Sequence, residues 1–206
     1  MINKLAICGC SFVSDFDTSD NKPTDLSNSD LWNHRLPIEL GFTDYKVFGK
    51  PGSSMFRIFL QVEKAIEQNY NHILILLTSP HRINYFDEYG TIDSNNANSN
   101  EVQDFVKTKY FNEEYYKKIS EIISYTMLNL CKSKNIKVKI YKNLFDDCND
   151  YSSEYIDWGP SRIINDYEGK IYVHQDSPNH LNKLGQDEVL KRFLHDLNHW
   201  KLKIEQ

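Results

Sequence analysis

The chain has 206 residues, 40% of them hydrophobic and 26% charged, the size and balance of one soluble globular domain spanning 1–206. Its formal net charge of −5, with no long block of Lys and Arg, excludes a general affinity for phosphate backbones, so no nucleic-acid partner is expected. The amino-terminal apolar run, Leu5 to Cys8, is too short for a signal-peptide core, and no later run reaches membrane-spanning length. No membrane partner is therefore expected, and a cytoplasmic or virion-associated setting fits. Cys8, Cys10, Cys131 and Cys148 show no zinc-ligand spacing, and Cys8 and Cys10 are too close to pair comfortably. They read as reduced, partly buried thiols.

Lys4 to Cys8 is a short apolar run stopped by Gly9, the pattern of a buried first strand. Val13 to Ser29 is rich in Asp, Ser, Asn and Thr and carries Pro23, so a long surface loop is expected. Leu31 to Leu40 has helical spacing, with Pro37 a point of kinking and Gly41 a stop. Tyr45 to Phe48 reads as a second strand, ended by the turn Gly49-Lys50-Pro51-Gly52. Met55, Ile58, Phe59, Val62 and Ile66 recur at three- and four-residue steps, which gives an amphipathic helix.

Ile73 to Leu77 is continuously apolar and bounded by Ser79-Pro80, as in a central parallel strand. Asp93 to Asn100 is almost wholly Asn, Ser and Asp, a composition that favours a mobile segment. Tyr116, Ile119, Ile123, Met127 and Leu130 mark another helix. Ile136, Val138 and Ile140 alternate with lysines, so that strand is expected to show one face to water. Lys170 to Val173 supplies a candidate fifth strand, and Leu190, Phe193, Leu194 and Leu197 mark a final helix. This alternation predicts an α/β fold with a mostly parallel five-stranded sheet and right-handed crossovers. Chemistry in such sheets gathers at the carboxyl ends of the strands.

Three segments fall there. Gly9-Cys10-Ser11-Phe12 follows the first strand and can expose a hydroxyl and a backbone N–H on a tight turn. Gly49-Lys50-Pro51-Gly52-Ser53-Ser54 follows the second and leads into a helix, where a glycine N–H without an intrahelical partner suits a developing oxyanion. Thr78-Ser79-Pro80-His81-Arg82 follows the third. Near the carboxyl end, Asp176-Ser177-Pro178-Asn179-His180-Leu181-Asn182 puts a histidine on a loop that can swing toward Ser11.

In this order and at these positions the four segments resemble the SGNH (GDSL-like) hydrolase family. The resemblance runs from Gly9 to about Phe193 and is sharpest at Gly9-Cys10-Ser11-Phe12 and at His180-Leu181-Asn182 with Gly185. It implies a three-layer, flavodoxin-like α/β sandwich and a serine esterase without cofactor or metal. Ser11 is then the nucleophile, His180 the general base, and the backbone N–H groups of Ser11 and Gly52 oxyanion donors. Where the family has an Asp two before the Phe this chain has Cys10, and where it has an oxyanion Asn this chain has Thr78-Ser79, either of which carries a hydroxyl. The family's triad acid sits three residues before the histidine, a place held here by Ser177. Asp176, one residue earlier, is the nearest carboxylate, and a backbone carbonyl is the other group able to orient the ring.

By the resemblance, the substrate is a small-molecule or carbohydrate ester, carbohydrate O-acetyl groups among them, cleaved through an acyl-Ser11 intermediate. An O-acyltransferase would use the same residues, and a binding or structural module that kept the fold without the activity is the alternative of another class. Arg82 is a candidate for holding an acidic substrate, or a partner for Asp87 or another local carboxylate. Cys10 is a rival nucleophile, with a side chain that should alternate away from that of Ser11. His195 and His199, four apart on a helix, and the set His174, Asp176 and His180 have metal-ligand character, with solvated residues the simpler reading. Tyr155 and Trp158 are candidates to line a pocket, with ordinary aromatic packing the default.

Overall fold

The computed structural model describes residues 3–15, 26–79, 82–84, 91–93, 112–142, 157–158 and 181–202. The first apolar run is strand β1 (Lys4–Cys8), followed by helix α1 (Trp32–Glu39), strand β2 (Asp44–Val47), helix α2 (Met55–Glu67) and strand β3 (His72–Leu76). Strands β4 (Arg82–Asn84) and β5 (Thr91–Asp93) form a separate antiparallel pair. Helix α3 (Glu113–Ser133), strand β6 (Lys137–Lys142), the two-residue strand β7 (Asp157–Trp158) and helix α4 (Lys183–Asp196) complete the order.

The main sheet runs β2-β1-β3-β6-β7, and every neighbouring pair in it is parallel. This is the flavodoxin-like order. It places β1 where successive connections leave toward opposite edges, and the crevice that forms there is the usual ligand site of such sheets.

Strand alternation divides the core in two. Leu5 and Ile7 of β1, Leu74 and Leu76 of β3 and Tyr141 of β6 face α1 and α4, where they meet Trp32, Leu36, Val189, Leu190 and Phe193. Ala6, Cys8, Ile73, Ile75, Leu77 and Ile140 face the other way, onto Met55, Ile58, Val62 and Ala65 of α2 and Met127 and Cys131 of α3. Trp32 stacks on Phe193 at 4.6 Å between ring centroids, and Tyr141 meets the same ring edge-on at 5.4 Å. One aromatic cluster thus ties the first helix, the last helix and β6 together. Among the described residues no helix is long and apolar enough to cross a membrane.

Several elements depart from the sequence pattern for identifiable reasons. Val13 opens the expected surface loop yet is fully buried, because it fills the space against Gly9 and Gly49. Pro37 sits inside α1, and its carbonyl accepts the N–H of Phe42 just past Gly41, which has φ of +85°. The buried stripe of α3 includes Ser120 and Ser124, small residues on the face that meets α2; the Ser124 hydroxyl donates to the Ser120 carbonyl at 2.8 Å and so needs no outside partner. Strand β6 is open only at its start. Its last three residues, Ile140, Tyr141 and Lys142, are buried, since β7 covers the edge there. Asp93, the start of the expected mobile stretch, closes β5 opposite Arg82. The candidate strand Lys170–Val173 lies outside the described residues, and β7 takes the fifth place in the sheet.

Candidate active site

Ser11 lies three residues beyond β1, in a turn closed by the Val13 N–H donating to the Cys10 carbonyl at 2.9 Å. The turn directs its two nucleophilic side chains differently. Cys10 is 0% exposed and Ser11 is partly open, so of the two Ser11 is the more accessible residue. Ser11 and Phe12 line a small cleft of about 20 Å3 together with Leu31, Trp32, Leu181 and Gln186. Leu181, the residue directly after His180 in the sequence, lines the same cleft as Ser11. His180 and Asp176 themselves lie outside the described residues, as do Cys148, Tyr155 and His174.

The Gly49–Ser54 segment stands beside the serine turn. The Lys50 N–H donates to the Gly9 carbonyl at 3.3 Å, and Gly52 has φ of +69°, a backbone region in which a side chain is strained. Ser53 donates from Oγ to the Lys50 carbonyl at 2.8 Å, and Ser54 caps α2 by accepting the Arg57 N–H at 3.3 Å. Val13 crowds Gly9 within its own turn and Gly49 across from it. A Cβ on Gly9 would come within 2.6 Å of Val13 Cγ2, and one on Gly49 within 2.7 Å of Val13 Cβ.

One side chain joins the turns directly. The Gln61 carboxamide accepts the Gly9 N–H at 2.8 Å and donates from Nε2 to both the Gly9 carbonyl and Ser53 Oγ, each at 3.1 Å. A planar amide that bonds both backbone groups of Gly9 and reaches Ser53 holds the serine turn against the Gly49–Ser54 turn. On the opposite side, Asn33 Nδ2 donates to the Val13 carbonyl at 2.7 Å and Trp32 Nε1 to the Phe12 carbonyl at 3.2 Å. Leu31, at the amino end of α1, provides no side-chain cap, and Gln186 of α4 accepts the Trp32 N–H instead at 3.0 Å. The helix that follows His180 is in this way bonded to the helix that holds the serine turn. Asn182 starts it, accepting the Gly185 N–H at 3.0 Å.

Gln61, Asn33 and Gln186 were not legible as site residues in the sequence. The signal they carry is a carboxamide set among the apolar residues of an amphipathic helix, beside Ile58 and Val62, Trp32 and Leu36, and Val189 and Leu190 respectively. His34 is a further imidazole near the turn. Its Nε2 lies 2.6 Å from Asp15 Oδ1 and its Nδ1 3.5 Å from the Tyr45 hydroxyl, so both ring nitrogens face partners other than Ser11.

The remaining candidates fall as follows. Thr78 is 0% exposed at the end of β3 and Ser79 is half-buried, so Ser79 is the more accessible hydroxyl. Arg82 starts β4, across from Asp93 and off the main sheet, and Trp158 belongs to β7. His195 and His199 are exposed at the end of the chain's last helical stretch. Burial raises the Cys8 thiol far above its ordinary range and the Cys131 thiol to about 11, which keeps both protonated and inert at neutral pH.

No family model matches the sequence, and no curated protein does. Solved structures do match. One is described as a lipolytic protein of the G-D-S-L family from Desulfitobacterium hafniense DCB-2, at a TM-score of 0.58 and 9% identity over 92% of this chain and 97% of that one. TesA matches at 0.56 and 13% identity, over 96% and 99% of the two chains. A lipolytic G-D-S-L family member from Veillonella parvula DSM 2008 matches at 0.54 and 11%, over 95% and 98%. Nearly the whole chain therefore has the fold of the G-D-S-L, or SGNH, hydrolases.

Proposed function

We propose that the protein is a serine esterase of the SGNH type, cleaving an ester through an acyl-Ser11 intermediate. The observation that carries the reading is the shared cleft: the partly open serine after β1 and the residue after His180 line one pocket at the point where the sheet's connections diverge. Nothing in the packing requires a hydroxyl at Ser11, which is partly open.

In this reading His180 takes the Ser11 proton as Oγ attacks the ester carbonyl, and then gives it to the departing alcohol. Water deacylates the enzyme by the reverse proton path. The N–H groups of Ser11 and Gly52 receive the oxyanion, with Ser79 the hydroxyl better placed to add a third donor. Asp176 orients the imidazole. A short acyl group such as acetyl is the one expected in this reading, and carbohydrate O-acetyl esters fall within that class.

The test is labelling with a fluorophosphonate probe and turnover of p-nitrophenyl acetate, each with Ser11→Ala as control. Labelling and turnover lost in Ser11→Ala, and turnover lost in His180→Ala, are the expected results. Equal signals from the native protein and Ser11→Ala would identify a binding module that has the fold without the chemistry.

A further inference from the structure

A second and much larger cleft, of about 640 Å3, opens beside the first. The two share Ser14, whose hydroxyl donates to the Ser11 carbonyl at 2.9 Å, and the larger one continues along Gly49, Lys50 and Ser53 between β2 and α2. Its charged lining runs against the balance of the chain. The protein carries a net charge of −5, yet among the described residues Lys46, Lys50, Arg57 and Lys64 line this space with one carboxylate, Asp15. Asp15 is hydrogen-bonded to His34 at 2.6 Å and forms no ion pair with these lysines. Among the described residues Lys46, Lys50 and Lys64 form no ion pair; Lys46 Nζ stands 5.2 Å from the centre of the Phe48 ring.

Three lysines that form no ion pair among the described residues raise the local potential and favour a ligand with more than one negative charge. A single carboxylate would balance one of them. A phosphate group brings close to two charges and several strong acceptor oxygens.

From this we infer that the cleft is a subsite for a phosphate-bearing portion of the substrate, so that the ester cleaved at Ser11 belongs to a phosphorylated molecule. The inference rests on the esterase reading for its link to catalysis, but binding itself does not require turnover. Ser11 holds the acyl carbon, and the phosphate lies along β2 and α2 on the far side of Ser14. Attraction between exposed charges is screened by salt, so the preference should fade as ionic strength rises.

Titration calorimetry of the Ser11→Ala protein with inorganic pyrophosphate, and with acetate as the singly charged control, tests this without catalysis. Pyrophosphate should bind and acetate should not. Raising salt to about 0.5 M should weaken the binding. Lys64→Gln should weaken it modestly and the pair Lys46→Glu with Lys64→Glu by about tenfold or more, in order of charge removed. These substitutions lie on exposed positions away from the serine turn, so turnover of p-nitrophenyl acetate by the same variants in the native background should not change.

Absence of pyrophosphate binding, or binding indifferent to the double charge reversal, overturns the inference and leaves the esterase test untouched. Binding that follows the charge series in a protein without Ser11-dependent turnover upholds the phosphate subsite and removes the esterase reading alone.

Discussion

Replacing Gln61 by Leu keeps the size of the side chain and removes its amide. Three hydrogen bonds go with it: from the Gly9 N–H at 2.8 Å, and to the Gly9 carbonyl and Ser53 Oγ at 3.1 Å. Two of the partners keep another bond, since the Gly9 carbonyl also accepts from Lys50 and Ser53 Oγ donates to the Lys50 carbonyl. At about 1 kcal/mol net for each bond, and more for the Gly9 N–H if it is left dry, the loss of stability is about 2–4 kcal/mol. The effect on rate has a separate cause. Gln61 bonds both turns, and in the proposed esterase these turns carry the oxyanion donors Ser11 and Gly52, loss of one of which costs on the order of 10²–10³ in rate. The loss should appear in kcat, with KM little changed, because the oxyanion forms after the substrate binds.

Gln61→Glu separates positioning from folding. Its carboxylate still accepts the Gly9 N–H but cannot donate to the Gly9 carbonyl, so it should retain an intermediate kcat. Denaturant unfolding and steady-state kinetics at a temperature where every variant is folded measure the two quantities. A Gln61→Leu protein that is less stable but has native kcat and KM would refute the positioning role.

Two further predictions follow from packing. A methyl added at Gly49 would press to within 2.7 Å of Val13 Cβ, so Gly49→Ala should cost about 1–3 kcal/mol and lower turnover as the serine turn is displaced. Val13→Ala should not rescue it, because the Val13 Cβ at 2.7 Å and backbone carbon at 2.8 Å remain in alanine; denaturant unfolding and p-nitrophenyl acetate assays of the single and double variants check this. His72 is buried between Phe42 and Trp200, with Asn71 Oδ1 2.9 Å from its Nδ1. Burial first, and the Lys137 charge second, push this imidazole down from 6.5 to about 4. The folded protein therefore binds the proton less readily than the unfolded chain. The stability from the neutral ring is complete above pH 6.5, declines as pH falls toward 4, and amounts to about 3 kcal/mol in full. Urea unfolding from pH 7 to 4 should show the slope and His72→Phe should reduce it; equal slopes in both proteins would assign the acid sensitivity to other groups.

The sequence by itself determined the order of the main elements, β1, α1, β2, α2, β3, α3, β6 and α4. Uninterrupted apolar runs such as Ile73–Leu77 can only be buried on both faces, and three- and four-residue apolar steps, as in Met55–Ile66, can only be satisfied by a helix lying on a sheet. That fixed the α/β class, and with it the strand ends at which Ser11, Gly52 and Thr78 fall. The short β4–β5 pair escaped because three-residue strands have too few residues to establish a period. Only the tertiary structure decided which serine neighbours are open, which residues hold the two turns together, and where the lysines gather. Cys10 and Ser11 differ in exposure because of how the turn packs on β1, and Gln61 meets Gly9 across 52 positions of chain. Contacts of that range are made by the docking of helices on the sheet, and no periodicity along the sequence records them.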